Sequence, residues 1–78
     1  MELDVRGEYS EDALLKVEKF MDEAILLGMP FVRIIHGKGT GVLRKEIHIY
    51  LKGHLAVQKF ELAPLNQGGD GATEVHFK

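Results

Sequence analysis

No cysteine occurs among the 78 residues, which excludes disulfide frameworks, thiolate metal centres and a cysteine nucleophile. That absence suits a reducing cytoplasm, and a cytoplasmic setting is the expectation. No apolar run approaches the ~18 residues that span a bilayer, and the N-terminus lacks the layout of a signal peptide, so no membrane partner is expected. A dedicated metal centre is also missing. His48, His54 and His76 lack ligand spacing and read as surface decoration, and Asp4 is the one well-placed acid, with Glu2 a distant second. The spacing G-x-x-x-x-G-K-[ST] of a Walker loop is absent, and Val42 stands where a dinucleotide fingerprint needs glycine. There is no internal repeat and no low-complexity segment.

What is present fits one domain near the lower end of sizes that fold unaided, with roughly 60–65% of the unfolded surface available for burial. The first strand pattern starts at Glu2 and the last runs to the end of the chain, so residues 1–78 are expected to be a single domain excised from a longer protein.

The net charge of −2 hides a segregation. Residues 1–30 carry eight acids against three bases, whereas residues 31–59 carry six bases (Arg33, Lys38, Arg44, Lys45, Lys52, Lys59) against Glu46 alone. A basic face of this kind attracts phosphate; equally, lysines decorate the solvated side of many helices.

"ELDVRG" alternates as a strand over residues 2–6 and ends at Gly7. Ser10 is placed to cap a helix of about 17 or 18 residues, with Glu11 and Asp12 in its first turn and an apolar stripe of Ala13, Leu14, Val17, Phe20, Met21, Ala24 and Ile25. Gly28 and Pro30 stop it. The β-branched "FVRII" is a buried strand. Thr40 is expected to cap a second helix that turns Leu43, Ile47, Tyr50 and Leu51 to the core and ends near Gly53, with Glu46 and Tyr50 serving that helix. Strands over 57–63 and 72–78 follow, the latter with Thr73, Val75 and Phe77 on one face. The order β-α-β-α-β-β predicts an α/β two-layer sandwich, a four-stranded mixed sheet with both helices on one face. Parallel first and second strands would end at one edge, carrying Asp4 and Arg6 towards His36 and Lys38, with the start of the second helix opening there too.

Between that second strand and second helix lies "HGKGTG", residues 36–41. Glycines at 37, 39 and 41 permit positive φ and close approach to main-chain amides, and a helix start adds a positive dipole end. Lys38 adds a charge. By pattern alone this is either a tight turn or a phosphate cradle. His36 is a residue able to exchange a proton near neutrality, and Arg6 with Lys38 can stabilise charge building on phosphorus. Asp4 can orient the histidine, act as the base, or hold a metal; the bland reading of "DVR" is a surface ion pair.

"LDVRG" at 3–7, "HGKGTG" at 36–41 and the tail "GGDGATEVHF" resemble the motifs of the Smr (small MutS-related) domain, in order and over essentially the whole chain. The form carried at the C-terminus of the second bacterial MutS paralogue is the most similar. The resemblance implies a fold like the C-terminal domain of translation initiation factor three. It implies a nicking endonuclease acting on DNA, branched DNA in particular, or on RNA at stalled ribosomes, with links to recombination and ribosome rescue. It carries the conserved acid and base of the first motif onto Asp4 and Arg6, and the glycine motif onto His36, Gly37, Lys38, Gly39, Thr40 and Gly41. Val5 stands where leucine is more frequent, a conservative exchange.

The expectation is therefore a nicking endonuclease of weak sequence preference. Asp4, Arg6, His36 and Lys38 are its catalytic candidates, and Gly37, Lys38, Gly39, Thr40, Gly41 and Arg44 its phosphate-binding ones. DNA or RNA, with the ribosome reached through the parent protein, would be the partner. RNA offers its own 2′-hydroxyl as nucleophile, whereas DNA cleavage must activate water, which a divalent ion (Mg or Mn) near Asp4 would assist. The alternative is a non-catalytic docking module of a larger ATPase.

Overall fold

Alternation along "FVRII" buries Val32 and Ile34 on one side and leaves Phe31, Arg33 and Ile35 on the other. In a computed structural model, which describes all of residues 1–78, this segment is an inner strand of the sheet. The elements are β1 (Glu2–Asp4), α1 (Ser10–Leu26), β2 (Phe31–Ile35), α2 (Val42–Lys52), β3 (Val57–Leu62) and β4 (Ala72–Phe77). Two 3-10 turns, Leu65–Gln67 and Gly69–Gly71, sit in the connection before β4. The spatial order is β1-β2-β4-β3, with β1 parallel to β2 and the other two pairings antiparallel. The expected α/β sandwich, a mixed sheet with two helices on one face, is the architecture found.

Spacing of three and four residues places Ala13, Val17, Phe20, Met21 and Ala24 of α1 in the core, where they meet Val32, Ile34, Val75 and the Ile47 and Leu51 of α2. Ile25, expected on that stripe, is 41% exposed because it falls at the end of the helix beyond the sheet-facing arc. The helix stops in a Schellman motif: Gly28, at φ 70°, donates to Ile25 O, and Met29 donates to Ala24 O, both at 3.0 Å. Ser10 opens α1 without capping it. The cap position is Tyr9, extended at φ −68° and ψ 149°, whose carbonyl accepts the Ala13 amide at 2.9 Å.

Thr40 is not a cap either. The chain enters α2 through Gly41 in the left-handed region at φ 84°, so Thr40 stands one residue too early, and no side chain bonds the first-turn amides. β1 is shorter than its pattern. Val5 still donates to Ile35 O at 2.8 Å, but the Asp4 carboxylate accepts the Arg6 amide at 3.0 Å and turns the chain out of the sheet.

The register leaves the second face of the sheet without a helix. Glu2, Arg33, Glu74, Glu61, Lys59 and His76 occupy it. Arg33 is its centre, donating to Glu74 at 2.8 Å, to Glu2 at 3.3 Å, and to Gln67 from the loop after β3. No helix is long and apolar enough to cross a membrane.

Candidate functional site

Asp4 and Ile35 are register partners, so the chain leaving β1 and the chain leaving β2 emerge side by side. Asp4 and Arg6 form a forked pair there. Arg6 Nε donates to Oδ1 at 3.0 Å and Oδ2 at 3.1 Å, and Nη2 donates to Oδ2 at 2.6 Å. The guanidinium bonds hold the Asp4 carboxyl below its ordinary range, and Asp4 in turn raises Arg6. Both side chains are exposed, so the pair is a fixed, charged surface feature. It lies directly against the loop, where a Cβ on Gly37 would meet Arg6 Cγ at 3.2 Å. Arg6 and Lys38 thereby line one cleft of about 680 Å³, together with Arg33, Gln67 and Gly71. Of the expected convergence, Arg6 reaches the Gly37–Lys38 loop, whereas the Asp4 carboxylate bonds only Arg6 and makes no hydrogen bond to His36, whose ring is held by Gly37 O and Thr73.

The loop itself is held from beneath. His36 and Gly37 both donate their amides to Gly71 O, at 3.0 and 2.9 Å. A Cβ on Gly71 would lie 3.6 Å from Gly37 C and 3.5 Å from Lys38 Cγ, so the "GGDG" tail is fitted against the loop, and Asp70 sits 3.5 Å from Lys38 Nζ. Beyond that anchor the backbone changes hand repeatedly: φ is 80° at Gly37, 38° at Gly39 and 84° at Gly41. No backbone carbonyl takes the amides of Lys38, Gly39, Thr40 or Gly41. They lead into the uncapped start of α2, whose first turn has no acidic residue. Arg44 folds back over this start, close enough that a Cβ on Gly41 would be 3.0 Å from its Nη2. Free amides, a positive dipole end and two cations thus share a second cleft of about 400 Å³.

His36 is 4% exposed and lies beneath the loop, against the inner wall of the second cleft. Its Nδ1 is 2.9 Å from Gly37 O, which can only accept, so Nδ1 carries the proton. Nε2 then accepts from Thr73 Oγ1 at 2.8 Å, and Thr73 accepts from His48 Nε2 at 2.7 Å. Burial pushes both histidines below their usual pKa, and each sits near Arg44, which adds to the effect. Two neutral imidazoles joined through a fully buried hydroxyl give both His36 nitrogens, the Thr73 hydroxyl and His48 Nε2 a partner.

His48 is therefore no surface decoration. It is half-buried, bonded to Thr73, and packed edge-on to Phe60 at 4.9 Å. The signals for it were a histidine four residues after Arg44 on the same helix face, and a threonine on the apolar face of β4 that would need a buried partner. The other two histidines serve local structure as well. His54 Nδ1 accepts the Ala56 amide at 3.1 Å, and His76 stacks on Phe31 at 5.7 Å. Arg33, counted among the six bases of residues 31–59, is committed to two carboxylates. Arg44, Lys45, Lys52 and Lys59 make no ion pair.

The loop edge does not fit a dedicated metal set. Both oxygens of Asp4 are engaged by Arg6, and Asp70 faces Lys38. Glu61, Glu74 and His76 do bring donor atoms within 4.8 Å of one another, but on the open sheet face, with Glu74 already held by Arg33.

Residues 3–78 match the model of the Smr domain family. The chain is 53% identical over its full length to the Endonuclease MutS2 of Geobacillus thermodenitrificans, and 54% identical over 77 residues to that of Listeria welshimeri. It spans about a tenth of the length of these relatives, 10% in each. The crystal structure of the Smr domain of Thermus thermophilus MutS2 superposes with a TM-score of 0.96 at 42% identity, covering 99% of this chain and 96% of that one. YdaL, a stand-alone small MutS-related protein from Escherichia coli, superposes at 0.94 with 28% identity, over 99% of this chain and 63% of that one.

Proposed function

The chain belongs to the Smr domain family, and from that premise we propose that it is a nucleic-acid-binding domain that nicks phosphodiester backbones of DNA or RNA, working in the cytoplasm as a module of a longer protein. The observation that carries the reading is the run of unpaired amides from Lys38 to Gly41, entering an uncapped helix beside Arg44, with Arg6 packed against Gly37 at the start of the same loop. A backbone phosphate supplies the acceptors that this loop lacks. The name carried by the MutS2 relatives supports the nuclease half of the proposal.

In this reading Lys38, Arg44 and the amides of residues 38–41 grip one phosphate. Arg6 faces the charge that develops on phosphorus, and Asp4 fixes its fork. Asp4 is also the proton acceptor: it is ionised, exposed and tied to the cleft through Arg6. On RNA the 2′-oxygen bonds to phosphorus as the bond to the departing 5′-oxygen breaks. The proton of the 2′-hydroxyl passes to the carboxylate, and the leaving oxygen takes one from solvent. On DNA, water replaces the 2′-hydroxyl. His36, neutral and bonded at both nitrogens, holds Gly37 in place in this scheme instead of moving a proton.

The test incubates the chain with supercoiled plasmid and with structured RNA, with and without chelator. Asp4→Asn and Arg6→Ala should each lower nicking at least about 100-fold, the scale of losing an acid–base or charge-stabilising group, while binding stays within a few-fold. Undiminished cutting by both variants would sink the assignment, and salt-sensitive binding without any strand break by the native chain would make the domain a docking module.

A further inference from the structure

Tyr9 is a second element of the second cleft, and it is 83% exposed. An aromatic ring that open, on a chain this small, has no packing role, and its hydroxyl bonds to no group of the protein. Its backbone is nevertheless rigid. The extended cap geometry and the bond from the Ala13 amide to its carbonyl fix the ring's root at the start of α1, leaving only two side-chain torsions to order. The acid lining the same wall, Glu8, is paired with Lys16 at 2.9 Å. The facing wall is the Gly39–Arg44 segment with its free amides.

We infer that Tyr9 is a stacking platform for an unpaired nucleobase, the base of a nucleotide whose phosphate is held by the glycine loop. The inference rests on the nucleic-acid reading above and deepens it. A phosphate grip alone is indifferent to pairing, because single strands and duplexes both expose phosphates. A flat aromatic face beside that grip discriminates: a base inside a duplex keeps both faces stacked on its neighbours, whereas one in a loop, gap or junction offers a free face. The ring therefore biases the domain towards nucleotides that are single-stranded or turned out of a helix.

The chain has no tryptophan and two tyrosines, so Tyr50→Phe leaves Tyr9 as the sole tyrosine emitter. Titrating that variant with a short single-stranded oligonucleotide should quench its emission with the same midpoint as binding measured by anisotropy. A blunt duplex at equal phosphate concentration should leave emission near its free level. Tyr9→Ala should weaken single-strand binding about tenfold, within the roughly 5- to 150-fold that losing one base–aromatic stack costs, and leave duplex binding within about twofold. Tyr9→Phe should behave as the native chain, and Tyr9→Leu, which keeps apolar bulk without the ring, as Tyr9→Ala. Because Tyr9 is exposed, all three should melt with the native protein. Unchanged emission at saturation, single-strand binding undiminished in Tyr9→Ala, or an equal loss on both substrates overturns the stacking role while leaving the phosphate grip standing. If the native chain binds neither nucleic acid, the broader reading falls and this one with it.

Discussion

Replacing Thr73 with valine removes one hydroxyl, keeps the shape, and strands two histidines. Thr73 is fully buried, and its Oγ1 lies 2.8 Å from His36 Nε2 and 2.7 Å from His48 Nε2. Without it the His36 acceptor has no partner in the core, a loss on the order of 1–3 kcal/mol. The His48 donor loses its partner as well, but half-exposed, it can recover part of its bond from water. The added methyl returns about 0.8 kcal/mol of burial. The net is about 2 kcal/mol. With unfolding entropy of about 2.1 cal/mol/K per residue over 78 residues, that lowers Tm by about 12 °C. Circular dichroism melts and urea unfolding at pH 7.5 measure it. Thr73→Ser, which keeps the hydroxyl and loses a methyl, should cost roughly half as much. Long-range nitrogen–proton spectra provide a second readout: His36 should be the Nδ1–H tautomer and His48 the Nε2–H tautomer. A Thr73→Val protein within about 0.5 kcal/mol of native, or the reverse tautomers, would refute the buried chain.

Other perturbations address the loop and its charges. Acid should destabilise the fold: both histidines are held neutral with pKa below 6.5, so the unfolded chain binds protons first, and urea midpoints should fall as pH drops from about 6.5 towards the folded values, with Asp4, held below the usual carboxylate range by Arg6, adding to the loss in more acidic solution. A midpoint that is flat or rises on acidification contradicts this. Gly37→Ala places a Cβ at positive φ, which costs about 1–2 kcal/mol, and 3.2 Å from Arg6 Cγ, so nicking should fall by about tenfold or more as the fork is displaced, measured on plasmid under conditions where the fold persists. Lys38→Ala and Arg44→Ala should each reduce the slope of log affinity against log salt by about 0.9 on duplex DNA, one phosphate contact apiece; a slope unchanged in either removes that residue from the grip.

Much of this arrangement was legible in the residues. Three- and four-residue periodicity places the cores of α1 and α2, Gly28 ends α1 through the conformation only glycine adopts readily, and the β-α-β order makes β1 and β2 parallel. From that alone Asp4, Arg6 and Lys38 converge. Capping was less legible. Ser10 and Thr40 have the right chemistry, but a cap is defined by the residue where the backbone first turns helical, and a one-residue offset takes the hydroxyl out of reach. His48 was misplaced for a related reason: its role depends on Thr73, 25 residues away, which becomes its neighbour only when β4 inserts between β2 and β3.

Local properties, then, were determined by the sequence itself: which segments are helix or strand, where glycine frees the backbone, which charges travel together along the chain. They depend on nearest neighbours and periodic spacing. What only the tertiary structure decided was partnership. The strand order sets Gly71 beneath the loop, commits Arg33 to Glu74 and Glu2, and closes the His36–Thr73–His48 chain. Such contacts pair residues far apart in sequence, and their geometry exists only once the sheet has its register. The glycine loop is flexible by composition, and the tertiary fold anchors its start, at His36 and Gly37, on the Gly71 carbonyl.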